Sequence, residues 1–490
     1  MAWIGIDLGS TNTCAAIWDG KLRMVEITSG GATSLPSVVT IANGVALVGQ
    51  AAVEAGKTNP DYDFRNFKRK MAEKWHDDED TGYQTCQGPD GMLAYRGPDG
   101  STYSPVELSS FVLGDIIHAA NEYLDGHDTV RGATIGVPAT FTPEQIEAVK
   151  EAARMAGLEN VTTLEEPVAA AIANNIDAKK SRCSIVVDFG GGTLDVTILR
   201  AGEGLIKVLA KNGIGDLGGS DFDRRIADYV TNLFRTEHKR DLALRDAAMT
   251  RLLVEAELVK KRLTDNEETT FRVENLDRTA EGVSLHAIYK IDRRIFNELT
   301  RDLQERVLAA VKAAIEDAKR NVQKFSQADI QDLLLVGGMT RVPSVRQMVS
   351  EFFGKQPKRD ENPERVVAEG LAIKAATLEG RRKDVTLADI TSFPIAIEGR
   401  DSIPVEVIPR GTPFPLEGKK AVKVKLRNAD DNQTEISVRL MYQTRPRAPD
   451  CHVLEAIDVP IEPGPAETVK RVLTIQIDSE GHPSIVDVAA

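Results

Sequence analysis

The feature that most limits the fold is an internal repeat. Ile4-Gly5-Ile6-Asp7-Leu8-Gly9-Ser10-Thr11 recurs, about 180 residues later, as Ile185-Val186-Val187-Asp188-Phe189-Gly190-Gly191-Gly192-Thr193. Each copy is an apolar strand ending in an acid, then a glycine turn, a threonine and a second strand. One such hairpin alone is commonplace. A matched pair, with Asp before Gly and Thr after it, implies a duplicated domain. Turns of Gly, Ser and Thr leave backbone N–H groups free to surround an anion. Gly9, Ser10, Thr11 and Asn12 on one side, with Gly190, Gly191, Gly192 and Thr193 on the other, are therefore predicted to clamp a polyphosphate. Asp7 and Asp188 would repel that anion unless a cation lay between, so both are candidate carboxylates for Mg²⁺, acting through waters.

Between the hairpins, 134–137 reads as a buried strand, and a helix runs from Thr142 as N-cap and Pro143 at its first position to Met155. Further helices are predicted over 221–234 and 245–263, a strand over 269–275 and a long helix over 293–321. Residues 332–336 form another strand, running into Gly337-Gly338. The stretch 81–104, rich in Gly, Asp and Pro, is predicted as a surface excursion. Strands alternating with helices to about residue 380 give α/β layers. Beyond it come short alternating runs such as Ala421-Val422-Lys423-Val424-Lys425-Leu426, broken by Pro and Gly, which predict a small all-β sandwich.

Several chemistries drop out. With 61 basic against 74 acidic residues the net charge is −13, which argues against a general nucleic-acid or anionic-membrane binder. No apolar run approaches the roughly 18–20 residues that span a bilayer. The start has no basic n-region, and the four cysteines (14, 86, 183, 451) form no CxxC pair, which suits a reducing, cytoplasmic compartment. The seven histidines form no metal pattern, and there is no GxxxxGK[ST] loop. Gly213-Ile214-Gly215-Asp216-Leu217-Gly218 matches a dinucleotide fingerprint, but the helix after it leads into charged helical sequence instead of a second strand, so NAD is rejected.

Three segments in order resemble the 70-kDa heat-shock protein (Hsp70) chaperones on the actin-like ATPase fold: Gly5 to Thr13, Val187 to Val196, and Leu335-Val336-Gly337-Gly338-Met339-Thr340-Arg341-Val342-Pro343. The resemblance implies a duplicated, two-lobed α/β ATPase domain over 1–380, a linker over 381–392 and a β-sandwich peptide-binding domain over 393–490, with no C-terminal helical lid. It implies ATP/ADP, Mg²⁺ and K⁺ as cofactors, and slow, regulatory hydrolysis to ADP and phosphate. Lys68 then matches the lysine reaching the γ-phosphate and attacking water, Glu166 the acid placing that water, and Thr193 the hydroxyl beside the γ-phosphate. Asp7 and Asp195 resemble the K⁺ carboxylates, with Asp188 on Mg²⁺. The loop with Gly218 and Gly219 lines the nucleotide cleft; Glu257, Lys260, Lys261, Thr264, Gly337, Gly338, Met339 and Arg341 match the nucleotide's adenosine side. By helical spacing alone, 257/260/261/264 is one solvated face. Pro138 matches a regulatory proline and Asp389 a linker acid, both allosteric.

The departures concern coupling and partners. In the linker 384–389, Thr386 and Ala388 replace large aliphatic residues, which predicts weaker docking on the ATPase domain, at about 1.5–3 kcal/mol for each buried side chain lost. Thr162 stands where an Arg that meets J-domain co-chaperones is frequent and Glu165 where Asn is common, which tells against a J-domain partner, while Thr140, in the turn after Pro138, stands where an aromatic is usual. In the β domain, Leu426, Ala429, Ile436 and Val438 match peptide-lining positions, with Arg400 opposite them where an apolar residue is usual. The expected function is an ATP-dependent chaperone binding extended hydrophobic polypeptides, with a nucleotide exchange factor as partner. The alternative is a nucleotide-switched module serving one dedicated protein. An actin-fold sugar kinase would need an aspartate base facing a sugar cleft and has no use for the β domain.

Overall fold

Two sheets repeat one plan in the computed structural model, which describes all residues except 1, 29, 77–84, 126–127, 176–180, 203, 240–241, 243–245, 359–362, 383–385, 445, 447, 449–450, 479–480 and 490. The first half contributes strands β1 (Ala2–Leu8), β2 (Asn12–Trp18), β3 (Leu22–Met24), β4 (Val130–Val137) and β5 (Asn160–Glu165). The second contributes β6 (Arg182–Phe189), β7 (Leu194–Gly202), β8 (Leu205–Ile214), β9 (Asp332–Val336) and β10 (Thr386–Ala388). The orders are β5-β4-β1-β2-β3 and β9-β6-β7-β8-β10. In both, an antiparallel hairpin sits at the centre with a parallel strand beside its first arm. β6 and β7 are almost wholly buried, as expected of strands covered by helices on both faces.

The duplicated hairpins differ at one register position. Asp188 pairs with Asp195 across β6 and β7, whereas Asp7 pairs with Cys14 across β1 and β2. The second copy therefore carries two facing carboxylates where the first carries one.

Helix Pro143–Met155 starts as its sequence dictates. Thr142 Oγ1 accepts from Gln145 N–H and Gln145 Oε1 accepts from Thr142 N–H, a closed capping box. The helices expected over 221–234 and 245–263 occupy Gly219–His238 and Asp246–Asp265. The expected helix over 293–321 is instead two, Arg293–Leu299 and Arg301–Asn321. The break is at Thr300, fully buried, whose hydroxyl donates back to the Phe296 carbonyl at 2.8 Å.

The 81–104 excursion is also corrected. Its first residues, 81–84, lie outside the described ones, but strands Thr85–Gln87, Leu93–Arg96 and Thr102–Tyr103 form a small sheet. Tyr95 is buried there and packs on Phe64 with ring centroids 5.2 Å apart.

The C-terminal strands stack as two sheets. One runs Pro404–Ile408, Ile395–Glu398, Glu435–Tyr442, His452–Pro460; the other runs Val422–Arg427, Lys470–Ile477, Pro483–Ala489. Alternating inward residues such as Ile395, Leu440, Leu473 and Ile475 fill the space between. The α/β layers hold separate apolar clusters. Strand β10 joins the second sheet as its edge, parallel to β8, with Ile206 opposite Leu387. Thr386 is exposed and Leu387 packs inward, so of the two expected aliphatic losses only Ala388 lies at a partly covered position.

Candidate nucleotide site

The two glycine turns face each other across a cleft of about 380 Å³. Gly9, Ser10, Thr11 and Asn12 line one side, and Gly190, Gly191, Gly192 and Thr193 the other. A third turn closes the floor after β9. Gly337 there has φ of 82°, and a Cβ would come within 2.5 Å of the Phe189 carbonyl oxygen, so only glycine fits. Gly338, Met339 and Arg341 follow on this turn, while Glu257, Lys260, Lys261 and Thr264 reach the cavity from helix Asp246–Asp265.

Lys68 comes from the short turn Phe67–Lys70 and is buried. Its ammonium donates to Glu166 Oε1 at 2.6 Å and lies 5.5 Å from the centre of the Phe141 ring. Glu166 opens helix Glu166–Asn175 directly after β5. Phe141 ends a turn that starts at the Pro138 carbonyl, and in that turn the Thr140 N–H donates to Asp195 Oδ1 at 3.0 Å. A Cβ on Gly213 would meet Thr140 Cγ2 at 2.6 Å, so the small side chain at 140 packs tightly against that strand.

The charge is unbalanced. Burial first, and the Glu166 carboxylate second, push Asp7 up to about 7. The same two causes hold Asp188 and Asp195 well above the usual carboxylate range. Among the described residues Asp195 Oδ2 is buried with no hydrogen-bond partner. Such a donor set calls for cations, so Mg²⁺ fits it. Among the described residues no three His, Cys, Asp or Glu side chains converge closely enough to ligate a metal directly. Bound Mg²⁺ would neutralise phosphate charge beside Asp7 and Asp188.

Of the nucleotide and metal residues expected from sequence, Gly218 and Asp195 stand behind the cavity wall and the rest line it. Asp195 acts from there on Thr140, and Gly218 donates its N–H to Asp221 Oδ2 at 2.7 Å. Lys260 is not a free surface cation. It donates to Asp223 Oδ2 and the Gly219 carbonyl, each at 2.8 Å. Glu257, which burial would raise, is held low by Lys261, 2.8 Å away, and by Lys260. Cys14, Ser34, Pro363 and Glu364 also line the cavity. No local pattern marks them, although Cys14 follows directly from the hairpin register.

A second cluster joins the linker to the ATPase layers. Lys211, on β8, is 2.7 Å from Asp389 Oδ1 and 2.8 Å from Glu165 Oε1, and it also donates to the Ile390 carbonyl. Ser392 donates to the same Glu165 oxygen at 3.0 Å, and the Arg410 guanidinium donates to the Lys211 carbonyl. Burial raises Glu165; for Lys211 burial acts downward, yet Asp389 and then Glu165 hold it above its usual value. Sequence reasoning singled out Asp389 and Glu165 but missed Lys211, which joins them. Thr162 instead shares a 3.1 Å contact with the Thr134 hydroxyl. Farther out, His452 Nδ1 of the sandwich lies 3.0 Å from Glu144 Oε1.

In the sandwich, Leu426, Ile436 and Val438 pack into the interior while Ala429 is exposed. Asn428 staples their loop, donating to the Pro465 carbonyl at 2.8 Å and accepting from Val469 N–H at 2.9 Å. The backbone of Arg400 sits in the turn Arg400–Ser402; its side chain, and linker positions 383–385, lie outside the described residues.

The family model described as Hsp70 protein matches residues 3–490. The chain is 38% identical over 496 aligned positions to the chaperone protein DnaK of Thermosipho africanus (strain TCF52B), covering 99% of this chain and 77% of that relative. With the duplicated sheets, the sandwich and the cleft, these matches show that the chain belongs to the Hsp70 family.

Proposed function

We propose that this Hsp70-family ATPase, an ATP-dependent chaperone, hydrolyses MgATP slowly between its two lobes and thereby switches a C-terminal β domain that grips extended hydrophobic polypeptide. The observation carrying the reading is the buried Lys68–Glu166 pair at 2.6 Å in a cleft walled by two glycine turns. Lys68 stabilises charge developing in phosphoryl transfer, and Glu166 orients the ammonium and accepts from the attacking water. Thr193 supplies a hydroxyl beside the transferred group, and Asp7 in the cavity, with Asp195 behind its wall, would hold K⁺ near the phosphates. The turn from Pro138 to Phe141 joins Asp195 to Lys68, which suits Pro138 to relay the state of the cleft.

Domain bounds of 1–380, 381–392 and 393–490 accompany this reading. Leu426, Ala429, Ile436, Val438 and Arg400 are its proposed peptide-side positions. Unfolded polypeptides and co-chaperones are the partners that the family relation implies. A nucleotide exchange factor fits among them, whereas Thr162 and Glu165 tell against a J-domain protein. The comparisons lend no support to a single dedicated partner. A cytoplasmic setting suits the family; among the described residues no helix is long and apolar enough to cross a membrane.

The test is Lys68→Ala in the full chain. ATP turnover is expected to be abolished while nucleotide binding, read by calorimetry, stays largely intact. Unchanged turnover would sink the assignment.

A further inference from the structure

We propose that Arg69 is a positioning residue for hydrolysis, a clasp across the cleft that ties the turn carrying Lys68 to the second glycine turn. This rests on the reading of Lys68 and Glu166 as the hydrolytic pair. Lys68 and Arg69 are neighbours in one short turn, so fixing the arginine fixes the backbone of the lysine. Lys68 bonds Glu166, at the end of the first sheet, whereas Arg69 reaches into the second half of the molecule. Its Nη1 donates to Ser220 Oγ at 2.5 Å and to Asp221 Oδ2 at 3.1 Å.

Both acceptors are themselves held. Ser220 Oγ donates to the Gly191 carbonyl at 3.0 Å, and the Ser220 N–H reaches the same oxygen at 3.0 Å. Asp221 accepts from Gly218 N–H at the start of helix Gly219–His238. The stem of Arg69 adds a steric constraint. A Cβ on Gly192 would come within 2.7 Å of Arg69 Cγ and 2.9 Å of its Cδ, so the arm lies flat against the phosphate-facing turn. The side chains of Arg69 and Asp221 are 18% and 29% exposed, so their attraction is less screened than in an open surface pair.

One end of the clasp belongs to each lobe, so it forms only when the cleft is closed. Nucleotide release by opening must break it, which gives the closed state a differential bond. Arginine suits the task because one planar cation serves two acceptors while its stem covers the turn.

The experiment compares Arg69→Ala, Arg69→Lys and Ser220→Ala in the full chain, reading single-turnover hydrolysis, dissociation of a fluorescent ADP, and Tm. For Arg69→Ala we expect dissociation about five- to tenfold faster and single turnover slower by a similar factor, with Tm nearly unchanged. Arg69→Lys should recover part of both rates. Ser220→Ala should show a smaller loss, and combined with Arg69→Ala it should add little. Parent-like rates in Arg69→Ala overturn the proposal. So does a loss of turnover that tracks a fall in Tm without recovery in the lysine variant, since that marks a merely structural residue. The two readings fail separately: normal turnover in Lys68→Ala overturns the hydrolytic pair and the positioning role with it, whereas parent rates in Arg69→Ala overturn the clasp alone.

Discussion

Asp7, Asp188 and Glu166 crowd carboxyl groups around the Lys68 ammonium, and that crowding has a pH consequence at the level of one residue. Asp7 is pushed up to about 7 in the folded chain, first by burial and then by Glu166. An unfolded aspartate titrates near 3.9. A raised folded value means that the proton stabilises the fold, so this contribution is complete below about pH 4 and is lost as pH rises through about 7. Without nucleotide or Mg²⁺, Asp7→Asn should therefore gain Tm relative to the parent as pH goes from 5 to 8. Because Mg²⁺ favours ionised carboxylates, the gain in Tm on adding MgADP should be larger at pH 8 than at pH 6. A thermal-shift series checks both, and a pH-independent difference between the two proteins counts against the assignment.

At the scale of elements, the edge strand β10 is held by its ladder to β8, and residues 389–392 add an ion cluster beside it. Leu387 and Ile390 supply the apolar contact, while Lys211 binds Asp389 and Glu165 together. Of the two smaller residues Thr386 is exposed and only Ala388 lies at a partly covered position, and the ion triad follows directly after it. Removing one partner of a buried pair leaves uncompensated charge, at a cost of about 3–5 kcal/mol. Lys211→Met leaves Glu165 and Asp389 facing each other, so the linker should come off β8. The expected outcome is faster protease cleavage near residues 383–390 with ATP bound, and release of a labelled peptide that ATP no longer speeds up. Adding Glu165→Gln to Lys211→Met should restore part of both. A linker equally protected in parent and Lys211→Met would show that the triad does not hold it.

At the scale of the whole molecule, the apolar clusters divide near residue 380. Three large clusters belong to the α/β layers, with only Leu387 and Ile390 among the described residues entering from the linker side, and a separate one fills the sandwich. Polar contacts such as His452 with Glu144 and Arg410 with the Lys211 carbonyl cross between them. A fragment ending at Arg382 should therefore fold alone, melt in its own cooperative transition and hydrolyse ATP. An unfolded or inactive fragment would place the boundary elsewhere.

Local chemistry is enough for much of this protein. Apolar alternation, the repeated Asp–Gly–Thr hairpins and the Thr142–Gln145 cap each act within a few residues, so both glycine turns and the helix Pro143–Met155 can be read from the chain. The break at Thr300 is subtler, because its hydroxyl donates to the Phe296 carbonyl four residues back at a position that only the packing buries. Nothing local marks Lys68, which lies in a charged run; it meets Glu166 from 98 residues away. Arg69 reaches Ser220 across 151 residues, and Lys211 meets Asp389 only once β10 has added to the sheet. Periodicity reports which face of an element is buried. Which charged groups share that burial depends on how distant elements pack, and only the closed cleft and the docked linker decide it.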